Sequence, residues 1–411
     1  MGLVELDTNL TEEAKTLRDE ARKFFMEVWR PAAIQLDKMA DPQDVIAKDS
    51  VLWDVLRKSY ELGYHKMSFP EELGGLGITD PLLGAVVAEE MGYAAADLCI
   101  SMGVTRFPFT FAAMSPEPEL QDMVKQFCAD TEAKMVGCWA ITEPDHGSDW
   151  IWFSTGECSR DPKVAPQLRA VADGDDYIVN GQKAAWVSNG TIATHAALFL
   201  SFDPSQGMQG SGIASIPLDL PGITRGKPLN KLGQRALNQG EIFFDNVRIP
   251  KKYVVCADPD TYKFMGDATI AAANGGMGSV FAGLAAAALD EAIAYCKERI
   301  QGGRPIIEHQ SVKARLFDMF TQVEAARSLS RRVAVYNAVT MPPAVHYSIA
   351  SKIFCTETAF KVSSMAIQLF GGYGLSKDFH IEKIFRDARA SMIEDGVNET
   401  LALSGAYHLA D

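Results

Sequence analysis

Two carboxylates stand side by side at Glu394 and Asp395, directly before Gly396. A carboxylate in a dry pocket can serve as a general base. The same residues also suit a solvated loop that caps a final helix. A second segment reads Ile141-Thr142-Glu143-Pro144-Asp145-His146-Gly147-Ser148-Asp149. Its Gly, Ser and Thr can present backbone N–H groups and hydroxyls to a polar ligand, and a plain strand-to-loop turn uses the same residue types. In Trp186-Val187-Ser188-Asn189 a large ring stands beside a hydroxyl. That pair suits one face of a planar ring system with a hydrogen bond to its edge, or else a core Trp with a surface Ser. Arg299, with Gln310 eleven residues on, can hold a pyrophosphate. It can equally complement a helix dipole at the C-terminus. In Gln368-Leu369-Phe370-Gly371-Gly372-Tyr373-Gly374 the glycines permit close backbone approach by a ligand, or simply end a helix.

The elements that must carry these residues change character twice along the chain. Ala14, Leu17, Ala21, Phe24 and Val28 recur at steps of three and four, which predicts a helix capped by Thr11 and ended by Pro31. Further helices are expected at 51–62 and 81–92. From about 135 short β-rich runs follow, at 135–141, 168–172, 177–179, 196–202, 212–217 and 241–244, with Asn180-Gly181 as a hairpin turn. Long helices return at 278–300, 308–339 and 343–370. The expected architecture is α+β: an N-terminal helical domain (1–134), a middle antiparallel β domain (135–255) and a C-terminal helical bundle (256–411). No βαβ alternation and no GxGxxG after a strand occurs, which excludes a Rossmann domain.

Composition narrows the functional classes. In 411 residues, 47% are hydrophobic and 22% charged, an ordinary globular balance. Thirty-nine Lys and Arg against 53 Asp and Glu leave a formal net charge of −14. Such a surface repels nucleic acid and anionic membrane, so neither is expected as a partner. Seven scattered cysteines without a CxxC pattern argue against a disulfide framework or structural zinc, and no metal is expected. The first residues, MGLVELDTNLTEEAK, lack the basic and apolar regions of a secretory signal. The Ala- and Gly-rich stretch 271–294, broken by Asn274 and Asp290, reads as a buried bundle helix. A cytoplasmic location is expected.

Taken together, the order and spacing of these segments resemble the acyl-CoA dehydrogenase superfamily of flavoproteins over nearly the whole length. The resemblance also includes Pro70 to Gly77, Phe244-Asp245-Asn246-Val247-Arg248-Ile249-Pro250 and Arg386-Asp387-Ala388-Arg389. It implies the helical–β–four-helix-bundle fold, FAD as cofactor, an acyl-CoA substrate, electron-transferring flavoprotein as acceptor, and a homotetramer. By the resemblance, Ile141, Thr142, Gly147 and Ser148 run along the flavin, and Trp186 and Ser188 pack on the isoalloxazine and reach its N5 side. Arg299 and Gln310 would hold the pyrophosphate and adenosine of a neighbouring subunit's FAD. Gln368, Gly371 and Gly372 would touch that adenosine half, and Asp395 falls at the catalytic carboxylate.

Three departures stand out. The base position carries Asp395 preceded by Glu394, where the family usually has Ile-Tyr-Glu-Gly. A stretch that usually reads Phe-Asp-x-x-x-Arg and helps hold the pantetheine arm is here Ile270-Ala271-Ala272-Ala273-Asn274. Gly302 replaces a flavin-contacting Phe. The implied reaction is removal of the α-proton and β-hydride of an acyl-CoA thioester, and Asp at the base position suggests a cyclic or branched acyl group. Two rival readings come from related branches. A nitroalkane-oxidase-like enzyme shares Trp186-x-Ser188-Asn189, Ile306 to Val312 and Asp395-Gly396-x-Asn398. A non-enzymatic DNA-associated flavoprotein is disfavoured by the net charge.

Overall fold

The structure, a computed structural model, describes residues 4–152 and 159–410, so Cys158 lies outside the described residues. Thr11 opens α1 (Glu12–Phe24) by accepting the Ala14 N–H at 3.1 Å, with Glu12 and Glu13 in the first turn. Ala14 and Ala21 are buried, whereas Leu17 is 39% exposed at the edge of the expected face. The expected stop at Pro31 is absent. The chain passes through a π-helical turn, Phe25–Trp29, and continues as α2 (Arg30–Asp37) with Pro31 in its first turn. The π-helical turn just before it widens the helix at the point where proline lacks an N–H, so the chain continues through Pro31. After α3 (Pro42–Val45) and α4 (Val51–Glu61), α5 (Pro81–Thr105) runs far past the stop expected at Gly92 and kinks at Ala95. Gly92 is a packing contact, not a breaker: a Cβ there would lie 1.9 Å from the Val280 carbonyl oxygen. The region closes with α6 (Phe107–Ala113) and α7 (Pro118–Ala129).

The middle region is built from β1 (Gly137–Ala140), β2 (Arg169–Asp173), β3 (Asp176–Lys183), β4 (His195–Ser201), β5 (Ser211–Pro217), β6 (Ile223–Arg225), β7 (Ile242–Pro250) and β8 (Val254–Cys256). They form one sheet in the order β6-β7-β3-β2-β4-β5-β8, with β1 on β4. Most pairs are antiparallel, as expected. The β1–β4 pair and the β2–β4 bridge are parallel, so the sheet is mixed. The hairpin expected at Asn180-Gly181 lies elsewhere: Asp173 pairs with Asp176, so the turn is Gly174-Asp175. Asn180 and Gly181 form a bulge inside β3, where Gly181 takes φ +137°. Across it the Asn180 Oδ1 accepts the Asn246 N–H at 2.8 Å, which satisfies a donor that the bulge removes from the ladder. Alternation along β4 sends Leu198 and Leu200 into the sheet's own core. Ala197 and Phe199 face a second cluster that includes Tyr262 and Ile270.

Asp258 caps α8 (Pro259–Glu298) by accepting the Thr261 N–H at 2.9 Å, so this helix begins well before the expected 278. It is long and apolar enough to cross a membrane, yet 78% of its apolar window is buried in the chain itself. That makes it the central core helix. A short hairpin, β9 (Ile300–Gln301) and β10 (Arg304–Pro305), leads to α9 (Gln310–Ala338), then α10 (Val345–Phe370), α11 (Ile381–Ser391) and α12 (Asn398–Ala410). Gly283 meets the Glu89 carbonyl as closely as Gly92 meets Val280, which seats α8 on α5. The six described cysteines are free and buried.

Candidate active site

The loop between α11 and α12 presents the two carboxylates, and they have different surroundings. Glu394 accepts a 2.6 Å hydrogen bond from Gln234 Nε2. Burial and the neighbouring Asp395 raise its pKa, opposed by the Gln234 bond and by Lys231 and Lys352. No hydrogen bond from the described residues reaches the Asp395 carboxylate. Its backbone carbonyl accepts from Asn274 Nδ2 at 3.5 Å. Burial pushes the Asp395 pKa up to about 6, against the opposing charge of Lys352. Lys352 is buried on α10, and its ammonium donates to the Gly396 carbonyl and Asn398 Oδ1, both at 2.7 Å. Asp395 adopts φ +51°. A short polar side chain tolerates that left-handed region better than Glu does, a physical reason for Asp at this point. A half-buried carboxylate with no donor is poised to take a proton, and one already engaged by an amide is not.

The 141–149 segment lies against this loop: Ser148 Oγ accepts the Val397 N–H at 2.9 Å. Its course is fixed from beneath by a buried ion pair, Lys183 to Glu143 at 2.7 Å. Lys183 also donates to the Ile141 carbonyl at 2.9 Å, and Ala184 N–H donates to the Thr142 carbonyl at 2.8 Å. Asp149 turns the loop by accepting from Gly147 N–H at 2.7 Å and pairing with His146 Nδ1 at 2.6 Å. Trp186 is 58% exposed, so it is no core residue. Ser188 is half-buried, and its hydroxyl accepts from Gln239 Nε2 at 3.1 Å. Asn189 next to it is wholly buried, tied to Ser101, Thr105 and Gly137, and anchors the turn.

Arg299 and Gln310 are both exposed, at the end of α8 and the start of α9, on either side of the β9–β10 hairpin. The Arg299 guanidinium stacks 5.7 Å from the Tyr373 ring centre. Gln368, Gly371 and Gly372 are exposed where α10 ends, and Gly371 takes φ +61°. The structure thus gathers Asp395, Ser148 and the 141–149 segment in one place, and Arg299, Tyr373 and the neighbouring glycines in another. Lys231, Gln234, Gln239 and Lys352 carry no signal in the sequence. Three of them lie in the irregular stretch between β6 and β7, where no periodicity singles a residue out. Gly233 docks that stretch on α11: a Cβ there would fall 2.4 Å from the Arg386 carbonyl.

The residues fit a bound flavin dinucleotide: a bare indole face, a hydroxyl with no acceptor among the described residues, and an exposed guanidinium beside small, open glycines. Comparison with known proteins gives the family. A short-chain specific mitochondrial acyl-CoA dehydrogenase of Rattus norvegicus is 30% identical over 402 residues, covering 97% of this chain and 90% of its own. The structure of butyryl-CoA dehydrogenase from Megasphaera elsdenii superposes with a TM-score of 0.85 at 25% identity, covering 99% of this chain and all of its own. A chain from the structure of the electron transferring flavoprotein of Acidaminococcus fermentans gives the same score at 28% identity, over 98% and 99%. The acyl-CoA dehydrogenase N-terminal, middle and C-terminal domain models match residues 11–111, 138–247 and 269–409. With all three domains in that order on one chain, the protein belongs to the acyl-CoA dehydrogenase family.

Proposed function

We propose that this enzyme is an FAD-dependent acyl-CoA dehydrogenase in which Asp395 removes the α-proton of the thioester. The observation that carries the assignment is the contrast within the carboxylate pair: among the described residues Asp395 is without a hydrogen-bond donor, whereas Glu394 is held by Gln234. Asp395 Oδ takes the proton; burial supplies the basicity, since it penalises the charged carboxylate. Lys352 steadies the loop through the Gly396 carbonyl and Asn398, which keeps Asp395 in place as its charge changes. Trp186 and Ser188 would hold the flavin ring, Ile141, Thr142, Gly147 and Ser148 its flank. Arg299, Gln310, Gln368, Gly371 and Gly372 would hold the dinucleotide of a neighbouring subunit in a homotetramer. FAD, when bound, supplies the acceptor for the β-hydride. The likeness to a chain from an electron transferring flavoprotein structure supports such a protein as the onward acceptor. A cyclic or branched acyl group is the favoured substrate class by resemblance to family members with Asp at this position, and the shorter reach of Asp requires the substrate carbon to sit closer.

A panel of linear, branched and alicyclic CoA thioesters with an artificial electron acceptor tests the activity. On the best substrate, anaerobic stopped-flow compares two variants. Asp395→Asn keeps its flavin, and reduction slows by roughly 10²–10⁴-fold. Glu394→Gln slows it by less than about tenfold. Wild-type speed in Asp395→Asn, with collapse in Glu394→Gln, would move the base to Glu394.

A further inference from the structure

Beside the candidate site, three side chains form a directed row. Lys231 Nζ donates to Gln239 Oε1 at 2.9 Å and to the Leu237 carbonyl at 2.8 Å. Gln239 Nε2 donates to Ser188 Oγ at 3.1 Å and to the Trp186 carbonyl at 3.3 Å. An ammonium has donors only, so the atom facing Lys231 must be the amide oxygen. The amide nitrogen is thereby fixed toward Ser188 and can only donate. Ser188 Oγ is left as an acceptor on that side, and its own O–H must point elsewhere. Among the described residues nothing accepts it. Gln239 is buried, and it is bridged to Ser188 through the backbone as well, so the row has little freedom to reverse.

We infer that Lys231 and Gln239 are positioning residues that set the direction of the Ser188 hydroxyl, so that it offers its hydrogen to the acceptor edge of the flavin. This rests on the reading that Ser188 faces the flavin ring. The N5 side of an oxidised flavin, where the resemblance puts Ser188, carries acceptors, so a hydroxyl turned the other way would offer it nothing there. The polarity of the whole row, ammonium to amide to hydroxyl, matches that need at every step.

Gln239→Glu reverses the polarity with almost no change of shape. The new carboxylate keeps a charged partner in Lys231 and draws the Ser188 hydrogen to itself. The test is a double-mutant cycle of Gln239→Glu and Ser188→Ala, read by fluorescence titration of apoprotein with FAD and by the visible absorption of the bound flavin. Circular dichroism confirms that each variant folds. With Ser188 present, Gln239→Glu weakens FAD binding about three- to tenfold, the span of one hydrogen bond, and shifts the flavin bands. In the Ser188→Ala background the same substitution costs clearly less, because only the bond to the Trp186 carbonyl is then lost. Equal losses in both backgrounds overturn the inference, because Gln239 would then act through packing or charge alone. If Ser188→Ala itself leaves affinity and spectrum unchanged, the hydroxyl does not reach the flavin and the inference fails. If the wild-type apoprotein takes up no FAD, the flavoprotein reading fails and this inference falls with it.

Discussion

A carboxylate desolvated without a donor is costly in its charged form, and half-buried Asp395 is such a group among the described residues. Its pKa lies near 6 in the folded chain, above the ordinary 3.8. Below the ordinary value the acid is protonated in both states and costs nothing. As pH rises toward 6 the unfolded chain ionises first, and stability falls by an amount that reaches about 2–3 kcal/mol above that point. Asp395→Asn is therefore expected to raise the melting temperature at pH 7 while flavin reduction slows by roughly 10²–10⁴-fold. An unchanged or lowered melting temperature would show that the site does not strain its base. The same acid gives the rate its pH dependence: single-turnover flavin reduction climbs through about pH 6 and then levels. A profile flat across that range would exclude Asp395 as the group that takes the proton. At this scale the sequence singled out Asp395 only through the family resemblance, since two adjacent carboxylates before a glycine equally suit a helix-capping loop. It was silent about Lys231, Gln234 and Gln239, because a polar residue in an irregular loop carries no sign of what it will face after folding.

At the scale of elements, each long helix was expected only in part: α5 runs on past Gly92 to Thr105, and α8 starts at Pro259, well before the expected 278, because a helix buried on all sides carries no apolar stripe to mark its ends. Gly92 does not end α5; it lets α8 approach it. Gly92→Ala would put a methyl group 1.9 Å from the Val280 carbonyl, so the two helices must part. A loss of about 1–3 kcal/mol is expected, seen as a lower urea midpoint. Gly84 on the same helix has nothing within 4 Å of an added Cβ. There the same change should stabilise by about 0.5–1 kcal/mol, since alanine favours helix. Equal effects at the two sites would mean that the close crossing is not what fixes the pair. The misplaced hairpin has a related cause. Asn-Gly suits a turn, and it equally suits a bulge where a glycine takes positive φ. Only the pairing of β3 with β7 distinguishes the two, and that contact is distant in sequence. Parallel pairing of β1 with β4 was invisible for the same reason.

Over the whole molecule, a net charge of −14 keeps the surface soluble, yet α9 and the turn after it expose Phe317, Phe320, Tyr336, Val339 and Met341. Phe317 is 68% exposed, a poor use of an aromatic ring in a free monomer. Gln310 begins the same helix, so one element carries both an apolar surface and a residue proposed to reach a neighbour's FAD. Assembly and cofactor binding should then be linked by mass action: whatever separates the subunits releases FAD, and whatever removes FAD loosens the subunits. Two variants approach that linkage from opposite ends. Arg299→Ala leaves a pyrophosphate without its charge-assisted partner, so FAD affinity should fall by about 1.5–3 kcal/mol while the chain stays folded. Its assembly should become dependent on added FAD. Phe317→Glu places a charge on the apolar face, so the assembly should dissociate into folded subunits that have lost most of their flavin. Light scattering with simultaneous absorption at the flavin band measures both quantities in one run. A monomer that keeps a full complement of FAD in either variant would break the linkage, and with it the reading that Arg299 and Gln310 serve a neighbouring subunit.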